Sequence, residues 1–118
     1  MMISKQNAEH YVWGNHCDGW RLIDEPERSI IHERMPPGTS EVRHIHHHAK
    51  QFFFVLAGTM TIELDGAEYH LNVHEGMNVP SNIPHQVFNK SDQDIEFLVI
   101  SNPNSRNDRK VIESKCEK

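Results

Sequence analysis

Two stretches of this chain carry side chains that could hold a metal ion. One contains His44, His46, His47, His48 and Gln51 between Gly38 and Gly58, and the other contains His85 between Gly76 and Asn89. Side chains on a strand repeat every second residue, so His44 and His46 share a face and His47 points to the opposite one. Gln51 and His85 open two further strand-like segments. Neutral imidazoles suit zinc, iron, copper or nickel, whereas magnesium and calcium prefer oxygen alone. Four such groups on three strands converge on one ion only if the sheet closes into a small barrel. A His46/His48 pair satisfies the same two-residue repeat. The run taken alone also fits a solvated surface stretch.

The elements that must position these groups are strands. Pro36-Pro37-Gly38, Gly58, Asp65-Gly66, Glu75-Gly76 and the segment from Asn89 to Asp92 cut the chain into strand-length pieces. Asp65-Gly66 lies between two alternating runs and predicts a hairpin. In its first arm Met60, Ile62 and Leu64 share one face. The three consecutive Phe after Gln51 predict a strand covered on both sides, and residues 95–100 read as a second nearly continuous apolar strand. On residues 29–35, Ile31, Glu33 and Met35 share the face with the better claim to the interior, opposite Ile30, His32 and Arg34. Phe97, Val99 and Ser101 share a face that could complete a pocket wall, with Phe53 on the same side as Gln51. Trp13, Trp20 and Tyr69 are further candidates for a wall or lid. Short helices are expected, if anywhere, in the first dozen residues and in residues 105–118. The fold class is all-β.

Composition agrees with one domain. The chain has 118 residues and a hydrophobic content of 36%, low for a globular protein but consistent with a small barrel partly lined by polar groups. Its net charge is -5 with the signs mixed. The lack of a basic stripe argues against nucleic-acid binding. Cys17 and Cys116 lie at opposite ends in no paired spacing and read as free thiols in a reducing compartment. There is no leader-like apolar segment near Met1 and no apolar run of membrane-spanning length. A cytoplasmic protein without membrane association is expected.

The two histidine stretches resemble the paired motifs of the cupin superfamily. Gly38, His44, His46, position 51 and Gly58 follow the spacing of the first motif, and Pro80, His85 and Asn89 follow the end of the second. The likeness covers roughly residues 30 to 101. It implies a double-stranded β-helix, the jelly-roll barrel of that superfamily, with a core over about 28–102, an N-terminal arm over 1–27 and a tail over 103–118. It also selects the His44/His46 register over His46/His48, since only the former fits both glycines and position 51. One divalent metal (zinc, nickel, iron or manganese) on His44, His46, Gln51 and His85 is therefore expected. Gln51 stands where most members carry Glu, and Asn82 where the motif has Gly; Asn tolerates positive φ better than other non-Gly residues. Small cupins commonly pair through sheet edges, so a homodimer is expected too.

A neutral Gln51 leaves the ion's charge near +2 and disfavours a trivalent state. Lewis-acid chemistry then becomes the more natural use. Glu33 is the candidate general base. The segment after Phe97 is similar to the end of small cupins that linearise unsaturated uronates and share a His-x-His, Gln, His ligand set, although Ser101 falls where an Asp is expected. Arg106 and Arg109 are candidates to bind a substrate carboxylate in bidentate fashion. Cupin-type polyketide cyclases resemble the same ligand set. The expected function is metal-assisted, non-redox chemistry (isomerisation, ring opening, cyclisation or elimination) on a small carbonyl or sugar-acid substrate. A metal-dependent dioxygenase and a small-molecule sensor without turnover are the alternatives.

Overall fold

Alternating buried and exposed residues carry most of this chain into strands that face a common interior. The computed structural model describes residues 1–113. In chain order the strands are β1 (Glu9–Trp13), β2 (Cys17–Glu25), β3 (Arg28–Met35), β4 (His44–His46), β5 (Lys50–Ala57), β6 (Met60–Leu64), β7 (Ala67–Leu71), β8 (Gly76–Val79), β9 (His85–Phe88), β10 (Ile95–Asn102) and β11 (Arg109–Val111). They form two antiparallel sheets, one ordered β1-β2-β3-β10-β5-β8 and the other β11-β4-β9-β6-β7. The core between them is built from Met35, Phe53, Val55, Met60, Ile62, Val87, Ile95 and Phe97, all nearly or wholly inaccessible.

Strand β10 lies at the centre of the larger sheet. Its inward row, Ile95, Phe97, Val99 and Ser101, is buried throughout. Pairing sets Phe97 beside Glu33, Val99 beside Ile31 and Ser101 beside Ser29 on β3, and Val99 beside Phe53 and Ser101 beside Gln51 on β5. Three rows of side chains thus run across the inner face. In the smaller sheet, Asp65 and Gly66 close the β6–β7 hairpin with φ of 52° and 97°. Two successive positive φ values match the twist of the strands they join.

The sequence reading is corrected in two places. Phe53 is buried, whereas Phe52 and Phe54 on the outer face keep partial exposure. Their rings lie 6.2 Å apart, and His74 stacks on Phe54 at 6.1 Å. A sheet in a two-layer barrel has one inner face, so the second side of this strand gains only local cover. No helix forms among the described residues. Near the N-terminus a single turn at Ser4–Ala8 leads into β1, whose aromatic and β-branched residues pair with β2. Residues 109–111 pair with β4 instead of coiling. Residues 114–118, which include Cys116 and the end of the expected tail helix, lie outside the described residues. Cys17 is buried with a free thiol.

The short β4 is held from several directions. Arg43, 7% exposed, makes a two-pronged ion pair with Glu63 at 2.8 and 3.0 Å and donates to the Glu113 carbonyl at 3.1 Å. The Asp108 carboxylate accepts from the backbone N–H groups of His47, His48 and Ala49 at 3.2, 3.0 and 2.9 Å. After β9, the wholly buried Asn89 donates to the Met35 and Gln93 carbonyls at 2.9 and 2.8 Å and accepts from Ser91.

Asn89→Ala takes the side-chain donor from the buried Met35 carbonyl and breaks the bonds to Ser91, while the Gln93 carbonyl keeps Ser91 Oγ at 3.0 Å. It should lower unfolding stability by about 2–3 kcal/mol, read as a lower urea midpoint at unchanged slope.

Candidate metal centre and cavity

Strands β4 and β9 pair with His44 directly opposite His85, and the two-residue repeat brings His46 to the same face. The ring centroids are 4.3 Å apart for His44 and His85, 4.8 Å for His44 and His46, and 5.8 Å for His46 and His85. One nitrogen from each ring falls within 4.8 Å of the others. All three side chains are buried.

Hydrogen bonds settle how the rings present themselves. Nδ1 of His44 donates to the Val42 carbonyl at 2.7 Å, and Nδ1 of His85 to the Ile83 carbonyl at 3.0 Å. Fixing the proton on one nitrogen leaves Nε2 with a free lone pair. Nε2 of His85 and Nδ1 of His46 are buried without a protein partner. Burial, together with the adjacent imidazoles, pushes the His44 pKa down to about 3 and the His46 pKa to about 4; burial also lowers that of His85. The cluster is neutral at physiological pH and offers lone pairs where no protein donor reaches. These three histidines could hold a metal ion, and the unpartnered nitrogens fit that role.

Gln51 lines the cavity with His44 and His46. Its Nε2 donates to Ser101 Oγ at 3.0 Å, while its Oε1 is buried without a partner. The amide is thus turned with its acceptor free. His47 and His48 are exposed, and their backbone N–H groups are what the Asp108 carboxylate holds.

The cavity, about 270 Å³, extends from the imidazoles across the inner face of the larger sheet. Glu33 enters it from β3, with Ile31 and Met35 on the same inward face. The Tyr11 hydroxyl donates a long 3.4 Å hydrogen bond to its carboxylate. Desolvation raises the Glu33 pKa to about 7, against the opposing effects of Tyr11, Arg109 and Arg21. Tyr11 reaches it because β2 carries Gly19 opposite: a Cβ there would lie 2.3 Å from the tyrosine ring. Burial also raises the Tyr11 pKa, so its hydroxyl stays protonated.

Among the cavity residues not singled out from sequence are Tyr11, Arg21, Ser29 and Glu41. Glu41 Oε2 accepts from the Val87 N–H at 3.1 Å, and burial followed by the Glu33 charge raises its pKa to about 8. Of the expected carboxylate binders, Arg109 lines the cavity with only a 3.4 Å contact to the Val42 carbonyl. Arg106 also lines it but pairs with Asp24 at 2.6 Å. Phe53 and Val99 form part of the wall. Trp20 lies between His10 and His32, and Tyr69 is 44% exposed.

Comparison with known proteins places this geometry among relatives. The family model described as the cupin domain matches residues 31–101. The polyketide synthase CurC of Streptomyces cyaneus is 26% identical over 69 residues, 58% of this chain and 45% of that protein. The chain thus spans under half the length of this curated relative. KdgF from Halomonas sp. superposes with a TM-score of 0.80 at 14% identity, covering 87% of this chain and 93% of the other. The polyketide cyclase RemF from Streptomyces resistomycificus superposes with a TM-score of 0.79 at 19% identity, covering 98% and 87%. At these identities the two structures share the fold.

Calorimetric titration of the metal-free protein with zinc should therefore lose most binding in His85→Ala, while His47→Ala and His48→Ala should bind as the parent does. Equal loss in His48→Ala would reassign the ligand pair on this stretch.

Proposed function

The chain belongs to the cupin family, and from that premise we propose a metal-dependent enzyme of non-redox type acting on a small carbonyl or sugar-acid substrate. The observation that carries the reading is a carboxyl group with a proton affinity near neutrality, Glu33, lining one cavity with His44 and His46, two members of a cluster of three neutral imidazoles. His44, His46 and His85 would hold the ion, with Gln51 Oε1 as a fourth donor. A divalent ion there supplies Lewis acidity toward a substrate oxygen.

The rest is the work of this chain's own residues. Glu33, about half ionised near pH 7, would accept a proton from the carbon alpha to the substrate carbonyl, the C–H electron pair passing to the carbonyl oxygen as an enolate. The Tyr11 hydroxyl holds the Glu33 carboxylate in place. Ile31, Phe53 and Val99 keep that part of the cavity apolar, which sustains the raised proton affinity of Glu33. Ser101 Oγ accepts from the Gln51 amide nitrogen, which leaves Oε1 as the free end of that amide. A neutral fourth donor leaves more of the ion's charge for the substrate than a carboxylate would, and favours isomerisation, ring opening, cyclisation or elimination over redox cycling. The proposal includes a homodimer, supported by the outer edge of β1 with Val12 exposed and by exposed Met2 and Ile3.

Metal-loaded protein should convert a member of a panel of unsaturated uronates and 2-oxo sugar acids, followed by proton NMR, without consuming oxygen. Oxygen uptake coupled to substrate loss would overturn the reading in favour of a dioxygenase. Activity should rise with pH through about 7 as Glu33 ionises, and Glu33→Gln should lower it about 100-fold or more.

Ser101→Ala should weaken zinc binding severalfold by freeing the Gln51 amide. The same change in a Gln51→Glu background should have little effect, because a carboxylate offers an oxygen in either orientation. Gln51→Glu alone should bind zinc more tightly, and unchanged affinity would place residue 51 outside the coordination sphere.

A further inference from the structure

We propose that the end of the cavity formed by Arg21 and Ser29 is a binding subsite for a carboxylate group of the ligand. The inference deepens the function proposed above and rests on it only in taking this cavity as the ligand site.

Arg21 Nε and Ser29 Oγ are both buried and both lack a hydrogen-bond partner, and both residues line the same cavity. Ser29 is 3% exposed. Leaving a buried donor unpaired is costly to a fold, so two of them lining one space mark a place kept for an outside acceptor. The Glu9 carboxylate stands 3.6 Å from Arg21 Nε, an ion pair too long for a hydrogen bond, and is 72% exposed. The guanidinium is held by the Tyr11 ring, whose centroid lies 4.3 Å away. The fork is therefore positioned with only a loose, solvated counter-charge and with its Nε hydrogen unused.

The acceptor this end calls for is anionic. A guanidinium has only donors, and its planar fork matches a carboxylate. Arg109 adds a second positive charge to the lining, whereas Arg106 is already paired with Asp24. The two carboxyl groups that share the cavity, Glu33 and Glu41, both hold their protons more tightly than usual, which reduces repulsion of an incoming anion near neutral pH. The subsite is also set apart from the imidazoles. Arg21 on β2 lies three strands from Gln51 on β5, about 14 Å between backbones at the usual strand spacing. The long arginine side chain shortens that span. A ligand with a chelating oxygen at one end and a carboxylate at the other would meet both.

Acetate, acetamide and inorganic phosphate titrated into metal-free and zinc-loaded protein, followed by the Arg21 Nε–Hε resonance in ¹⁵N NMR, test this directly. Acetate should shift that signal saturably in both forms, and acetamide should not. Arg21→Gln and Ser29→Ala should each weaken acetate binding at least threefold, while Lys90→Gln, at an exposed cation outside the cavity, should leave it unchanged. The metal-free arm reports the subsite whatever becomes of the metal-dependent activity. No saturable shift with acetate, or equal affinity in Arg21→Gln with a native-like spectrum, overturns the proposal. Tighter binding of phosphate than of acetate overturns the assignment to a carboxylate.

Discussion

One carboxylate fixes the stretch on which the candidate centre depends. Asp108 gathers three successive backbone N–H groups, those of His47, His48 and Ala49, and so sets where β4 ends and β5 begins. Four residues lie between His46 and Gln51, and they must cross from the smaller sheet to the larger while His46 and Gln51 both stay turned inward. Charge-assisted bonds to consecutive amides hold a turn of that kind better than side-chain packing would, since its tip is solvated and offers little apolar surface. The backbone bonds in turn lower the Asp108 pKa after desolvation has worked against them, so the anion persists well into acid. The adjoining strand β11 then supplies β4 with a partner on its outer edge.

The site also illustrates how burial selects protonation states of opposite kind in one space. Removing water disfavours charge on imidazole and carboxyl alike. For the histidines the consequence is a set of neutral bases with lone pairs turned inward. For Glu33 and Glu41 it is a pair of acids that ionise near neutrality instead of in acid. A cavity with both properties can receive a cation at one end while still exchanging a proton further along. That division of labour arises from depth and packing, with no requirement for a separate structural device at each group.

Much of this was legible in the residues. The two-residue period set His44 and His46 together, and it turned Glu33 inward and His32 and Arg34 outward. Asn82 adopts φ of 64°, the left-handed geometry that its place in the second motif implied. The all-β character and the Asp65-Gly66 hairpin followed from local pattern alone. Other features had no local signal. Arg21 adjoins a register shift between β2 and β3, where strand parity ceases to be a guide. Glu41 belongs to the irregular run before β4 and has no period to betray its direction. The pairing of Arg106 with Asp24 joins positions 82 apart in the chain. The tail became a strand because β4 had an open edge, a fact about the sheet and not about residues 109–111.

Tyr11 brings a different kind of consequence. It reaches the cavity from β1, the outermost strand of its sheet, which has a neighbour on one side only. Edge strands open more readily than central ones, so local stability is expected to grade from low at this wall to high at the imidazoles. The histidines sit on strands paired on both sides, among the most protected parts of the molecule. Entry and exit of a ligand therefore need not disturb the three histidines that could hold an ion. A lineage of such proteins could change what it accepts by rewriting residues 9–25, leaving that histidine cluster intact while the peripheral wall drifts from one ligand to another.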